Sequence, residues 1–154
     1  MYQYRSVAPS DWGWLCQASG LSAWERLPYA QRQRTHPAWA AELLQGALSA
    51  ALVSPYGVAC IAEVGREPVG YIIGAVAPEG DTGLPAGLLL DLWVAPAHRR
   101  RGVARALHRI AERAFAAFGA RKVKAMAALD NQPALALAGH LAFAAEGITG
   151  DTPL

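Results

Sequence analysis

The 154-residue sequence lacks most features of a secreted, metal-binding or membrane protein. Its two cysteines, Cys16 and Cys60, make neither a disulfide framework nor a metal site, and we interpret them as buried thiols. No segment has the length and freedom from charge of a transmembrane helix. The N-terminus carries no apolar stretch typical of secretion signals. These absences predict a cytoplasmic protein that binds no membrane and no metal.

Charge is also scarce, since charged residues make up 17% of the chain and the net charge is +2. This balance does not by itself indicate nucleic-acid or membrane binding. The basic residues are instead concentrated locally, at Arg99, Arg100, Arg101, Arg105, Arg109 and Arg113. A nucleic-acid-binding domain built on these arginines is the weakest hypothesis, because lysines are few and no nucleic-acid-binding motif matches.

The chain has the size and composition of one globular domain, residues 1–154, with 53% hydrophobic residues and no repeats or linkers. Its patterns predict the order β-α-α-β-β-β-α-β-α-β. Antiparallel hairpins come first, and strand–helix–strand crossovers follow. This order favours an α/β (α+β) fold, with a mixed, mostly antiparallel sheet and helices on both faces.

The two ends of the chain add a helical region and a last strand to this order. A first helix is predicted from Pro9 through about Ala18, and residues 20–36 suggest a short helix plus a loop that covers a pocket. At the other end, residues 143–148 suggest a short last strand before a short tail. A last strand that is short or missing would leave a sheet edge to be covered, so we predict a homodimer.

The most informative stretch runs from Leu88 to Phe118. An apolar strand, Leu88–Val94, contains one acid, Asp91, and an arginine-rich turn then leads into an amphipathic helix from about Gly102. Backbone N–H groups at a helix start are unpaired, and the helix dipole favours negative charge there. The stretch therefore predicts a phosphate-binding turn.

This turn, Arg99-Arg100-Arg101-Gly102-Val103-Ala104, resembles the Arg/Gln-x-x-Gly-x-Gly/Ala motif of the Gcn5-related N-acetyltransferase (GNAT) superfamily. Asn131-Gln132-Pro133-Ala134, with Leu137 and Leu141-Ala142-Phe143, is similar to a second segment of that family. The resemblance covers residues 58–148 well, and 1–56 only by the order of elements. It implies the acyl-CoA N-acyltransferase fold, with acetyl-CoA as co-substrate and no metal.

The resemblance also implies which residues bind acetyl-CoA. Backbone amides of the turn would wrap the pyrophosphate, with Arg99 and Arg100 as the side-chain partners. The implied turn residues are Arg99, Arg100, Arg101, Gly102, Val103, Ala104 and Arg105, and Asn131 belongs to the same implied site. A bulge in the preceding strand would let pantetheine pair with Leu92, Trp93 and Val94, and a freed N–H there would polarise the thioester carbonyl.

Several residues are candidates for the catalytic acid and base. The tyrosine that serves the family as acid is replaced by Ala138, so Tyr56, Tyr71 or water would have to protonate the CoA thiolate. Asp91 is the candidate base, because apolar neighbours would raise its pKa. The alternatives are a structural carboxylate paired with arginine or backbone amides, a base role for Glu63, and a water-mediated route.

The function implied is an N-acetyltransferase that moves the acetyl group of acetyl-CoA to a primary amine by direct transfer in a ternary complex. The acceptor would be an amine of a small molecule or of a protein. Because Ala138 cannot donate a proton, the alternative is a non-catalytic acyl-CoA-binding module. Fold alone does not choose the acceptor.

Overall fold

The structure is a computed structural model that describes residues 1–27, 29–34, 36–126 and 132–141. The predicted strand at 143–148 and the tail after it, on which the homodimer prediction rests, lie outside the described residues. The helices are α1 Trp12–Arg26, α2 Tyr29–Arg32, α3 Pro37–Val53, α4 Val103–Ala117 and α5 Gln132–His140. The strands are β1 Gln3–Ser6, β2 Gly57–Val64, β3 Glu67–Pro78, β4 Pro85–Val94 and β5 Val123–Ala125.

Within the described chain, the five strands form one sheet in the order β1-β2-β3-β4-β5. Neighbours from β1 to β4 pair antiparallel, whereas β4 and β5 pair parallel. The chain crosses over from β4 to its parallel neighbour β5 through α4. The predicted mixed, mostly antiparallel sheet with helices on both faces is confirmed.

The sheet separates two hydrophobic cores, because neighbouring residues of a strand point to opposite faces. On one face Cys60 and Ile72 pack with Leu107 and Phe115 of α4. On the other face Ile61 packs among side chains of α1, α3 and β3, including Leu15, Leu48, Tyr71 and Ile73. The near-continuous apolar runs of β2 and β3 are explained by burial on both faces.

Helix α1 is longer than the sequence predicts, since it continues past Ala18 and through Gly20 to Arg26. A glycine inside a helix costs about 1 kcal/mol relative to alanine, so local preference favours an earlier end. Packing offsets this cost, because Ser19 and Ser22, on either side of Gly20, are buried. The extension carries Arg26 to the middle of β4.

Strand β4 contains a bulge at Leu90. Ile73 of β3 lies opposite Asp91, while the next residue, Gly74, lies opposite Leu89, so Leu90 is the extra residue. Leu89 packs with the α4 core, whereas Asp91 contacts Ser22 of α1. Without a bulge, residues two apart would share a face. The bulge therefore turns Asp91 towards α1.

In the described part of the chain, no helix is both long enough and apolar enough to cross a bilayer.

Candidate functional site

The turn between β4 and α4 has the backbone geometry of an anion-binding site. Arg100 and Gly102 have positive φ angles of 62° and 84°, and Gly102 caps the helix start. Gly102 is exposed, with no atom within 4 Å of where a Cβ would lie. The amides of 100–105 have no hydrogen-bond acceptor among the residues that the structure describes. These donors can therefore bind an anion such as a phosphate.

Arg99 ties this turn to its neighbours. Its Nε donates to the carbonyl of Val94 at 2.8 Å, and its Nη2 donates to Oε2 of Glu25 at 2.7 Å. The guanidinium predicted to contact phosphate is thus engaged with β4 and α1 in this structure. Arg100 and Arg101 are exposed and form no ion pair within the described chain.

The edge of β4 that faces β5 is only partly paired. Strand β5 pairs with Gly87, Leu88 and Leu89, and no strand in the described residues pairs with 90–94 on that edge. The expected bulge is confirmed and lies where this pairing ends, at Leu90. Leu92, Trp93 and Val94, predicted to pair with pantetheine, follow after Asp91.

Asp91 is the centre of a buried polar cluster. Its Oδ1 accepts hydrogen bonds from Ser22 Oγ at 2.9 Å and from Arg26 Nη2, and its Oδ2 accepts one from the Tyr71 hydroxyl. The side chain of Asp91 is 1% exposed. Burial, together with the adjacent Asp91 carboxylate, raises the pKa of Tyr71 far above its ordinary value, which keeps the hydroxyl protonated. These contacts match the structural-carboxylate alternative, in which Asp91 pairs with an arginine.

Three aromatic rings pack beside this cluster. The Trp14 ring lies edge-on to Tyr71 and to Trp93, with centroids 5.9 Å and 6.4 Å away. Trp93 is 8% exposed, and its Nε1 has no hydrogen-bond partner in the described chain. An unpaired indole donor thus lies on the strand that is predicted to contact the cofactor.

The structure adds two site residues that the sequence did not indicate, Ser22 and Arg26. They lie four residues apart, so they share one face of α1. Their spacing of four residues could have indicated a shared helix face, but only with a helix that continues past Gly20.

Other candidate residues lie apart from this cluster. Glu63 Oε2 accepts a hydrogen bond from Arg5 Nε at 2.8 Å, in an ion-pair cluster that joins β1 and β2. Tyr56 packs edge-on against Phe118, at the end of α4 opposite to Gly102. Ala138 lies within α5, and Asn131 lies outside the described residues. No described group of histidine, cysteine and acidic residues is suited to hold a metal ion.

A mixed sheet with a bulge in β4, followed by a glycine-containing turn into a helix, defines the fold class of the acyl-CoA N-acyltransferases. The sequence profile of the Acetyltransferase (GNAT) family matches residues 19–143. The chain belongs to this family, and the resemblance predicted from its motifs is confirmed. A search of curated proteins found no match.

Solved structures show the same fold. One is a Pyrococcus furiosus protein assigned as an acetyl transferase, with a TM-score of 0.81, 16% identity and 100% coverage of both chains. Another is a GCN5-related N-acetyltransferase from Ralstonia eutropha JMP134, with a TM-score of 0.78, 21% identity and 99% coverage of both chains. The aminoglycoside N-acetyltransferase AAC(6')-Iy in complex with CoA has a TM-score of 0.76 and 17% identity, over 100% of this chain and 95% of that chain.

Proposed function

We propose that the protein is an acetyl-CoA-dependent N-acetyltransferase that acetylates a primary amine by direct transfer in a ternary complex. The observation that carries the proposal is the bulge at Leu90, followed along the chain by the Arg100–Gly102 turn. Together they offer a strand edge for an extended cofactor arm and unpaired amides for its phosphates. The similar fold of a CoA-bound acetyltransferase supports this assignment.

Acetyl-CoA would bind along the second half of β4. The pyrophosphate would accept hydrogen bonds from the amides of 100–105, with Arg100 or Arg101 adding a charged side chain. Arg99 would act differently, by holding the turn against Glu25 and Val94. Pantetheine would pair with the backbone of 92–94, which brings the thioester close to the bulge.

In the transfer step, the amine nitrogen attacks the thioester carbonyl carbon, the C–N bond forms and the C–S bond breaks. The ammonium loses one proton before attack; after attack the nitrogen loses a second proton and the departing thiolate gains one. We assign these proton exchanges to water, because Asp91 is held by three donors and Ala138 has no proton to give. A thiolate is a tolerable leaving group near neutral pH.

The acceptor would be an amine of a small molecule or of a protein. A relative with the same fold acts on aminoglycosides, which supports a small-molecule amine. The alternative, an acyl-CoA-binding module without turnover, is favoured by one feature, the absence of the tyrosine at Ala138.

CoA binding tests the turn. Gly102→Glu should abolish the thermal stabilisation by CoA, because the new carboxylate would repel the phosphates. The side chain itself has room, since no atom lies within 4 Å of the new Cβ. Gly65→Glu is the matched control, since Gly65 also has a positive φ of 57° and open space around it. It should lose stability to backbone strain but retain the shift with CoA. Undiminished CoA binding by Gly102→Glu would contradict the phosphate assignment.

Turnover tests the reaction. Release of free thiol from acetyl-CoA should depend on added primary amine and should give the N-acetylated product in equal amount. Mass spectrometry of the product distinguishes this transfer from hydrolysis. Binding of CoA without turnover on any amine of a broad panel would instead favour the non-catalytic module.

A further inference from the structure

The guanidinium of Arg26 is held through one of its nitrogens, Nη2, within the described chain. Its Nη2 donates to Asp91 Oδ1 and lies 3.2 Å from Ser22 Oγ, whereas Nε and Nη1 have no partner in the described chain. The side chain of Arg26 is 41% exposed, and that of Asp91 is 1% exposed. A buried carboxylate therefore fixes this arginine and leaves the N–H groups of Nε and Nη1 available to a ligand.

Arg26 lies where the transfer is proposed to occur. Its partner Asp91 directly follows the bulge residue Leu90, and pairing with β5 ends at Leu89. Asp91 also precedes the strand residues 92–94 that are proposed to hold pantetheine. A group bound to Arg26 would thus lie next to the reacting thioester.

The charges around Arg26 favour an anion. The carboxylates of Asp91 and Glu25 are already paired, with Arg26 and Arg99. Arg32 donates to the carbonyls of Leu27 and Glu25 and forms no ion pair among the described residues. Among these groups Arg32 is therefore the cation left without an acidic partner, and no acid is left without a cation. A polycationic acceptor would meet like charge here.

We propose that the acceptor amine also carries a carboxylate, which Arg26 binds through the N–H groups of Nε and Nη1 that have no partner in the described chain. Asp91 and Ser22 are positioning residues that orient it. The substrate class is therefore amino acids, or other molecules in which a primary amine and a carboxylate lie a few bonds apart. A guanidinium held by Asp91 still has N–H groups that can donate charge-assisted hydrogen bonds to a second carboxylate. This inference rests on the proposed function, because it names the acceptor of that reaction.

The test compares L-amino acids with their C-terminal amides, which keep the amine and lose the carboxylate. Wild-type protein should prefer the acids at least tenfold in kcat/KM, measured as thiol release. Arg26→Gln should remove this preference by raising KM for the acids about ten- to hundredfold, as expected for losing hydrogen bonds between charged groups. The KM for acetyl-CoA should not change. Arg26→Lys keeps the charge but has fewer N–H donors, so it should restore only part of the preference.

Two controls separate this effect from loss of structure. Arg113→Gln removes an exposed arginine of α4 and should change none of these constants. Thermal unfolding shows whether Arg26→Gln remains folded. If it does not, Arg26→Lys, which preserves the ion pair with Asp91, decides the question by the same acid-to-amide comparison.

Calorimetric titration of the amino acids into the protein–CoA complex separates this inference from the proposed function. Binding to wild type but not to Arg26→Gln, without turnover of any amine, would leave the carboxylate site standing and refute the reaction. Equal use of acids and amides by wild type would overturn the inference while turnover upholds the reaction. Weaker CoA binding in Arg26→Gln would also overturn it, because Arg26 would then be a phosphate ligand. Absence of acid binding and of acid turnover would overturn it as well.

Discussion

Replacing Asp91 by alanine should destabilise the protein strongly, whatever the acceptor is. Ser22 and Tyr71 are 4% and 0% exposed, and both hydroxyls donate to the Asp91 carboxylate. Each buried donor left without an acceptor costs about 1–3 kcal/mol, so the free energy of unfolding should fall by about 2–6 kcal/mol. Arg26 adds little to this cost, because its partly exposed side chain can be hydrated. The loss is a large share of the ~5–15 kcal/mol typical of a domain.

Urea unfolding measures this loss, with the m-value showing whether the unfolded state has changed. Asp91→Asn keeps an oxygen acceptor for Ser22 but places an NH2 group, which cannot accept a hydrogen bond, opposite the Tyr71 hydroxyl. The free energy of unfolding should therefore fall by about 1–3 kcal/mol. Asp81→Ala, at an exposed acid, should stay within about 0.5 kcal/mol of wild type. An Asp91→Ala protein as stable as this control would refute the buried cluster.

The same Asp91→Asn protein distinguishes a positioning role from a base role. Loss of a general base typically lowers kcat about 10²–10⁴-fold and removes the corresponding ionisation from the pH profile. A residue that only orients Arg26 should mainly raise KM for the acceptor and leave the shape of that profile unchanged.

Two further predictions concern the frame around the site. Gly87→Ala should lower the thermal unfolding temperature, because its Cβ would lie 2.4 Å from a ring carbon of Phe115. Overpacking of this kind costs about 1–3 kcal/mol, and adding Phe115→Leu should recover part of the lost stability. A Gly87→Ala protein that melts like wild type would contradict this packing. The ammonium groups of Lys124 and Lys122 lower the pKa of Glu79 from 4.5 to about 2, so its stabilising effect is complete above pH 4.5 and is lost as the pH falls towards 2. Urea unfolding at pH 7 and pH 3 should therefore show a larger loss for wild type than for Glu79→Gln, and equal losses would disprove it.

The turn and the helix that follow β4 could be predicted because their signals are local. A turn that needs a positive φ selects glycine, and Gly102 has that conformation. The amphipathic pattern after it required a helix, observed as Val103–Ala117. Patterns of this kind act over a few residues, so they can be read without knowledge of distant contacts.

The course of residues 20–36 could not be predicted in the same way. Gly20 argues locally against a helix, whereas the packing of α1 on α3 and β4 favours one. The short range of sequence patterns also left the partner of Arg99 unknown, because Glu25 lies 74 residues away along the chain. Such pairings depend on the assembled sheet and helices.

The sequence by itself determined the family and the glycine-containing turn into α4, since both depend on residues that are neighbours along the chain. Only the tertiary structure decided the environment of Asp91. The bulge at Leu90 turns this carboxylate from the α4 face to the α1 face, where Ser22, Arg26 and Tyr71 surround it. These contacts depend on the register of β4 and on the length of α1, and both are fixed by packing across the sheet.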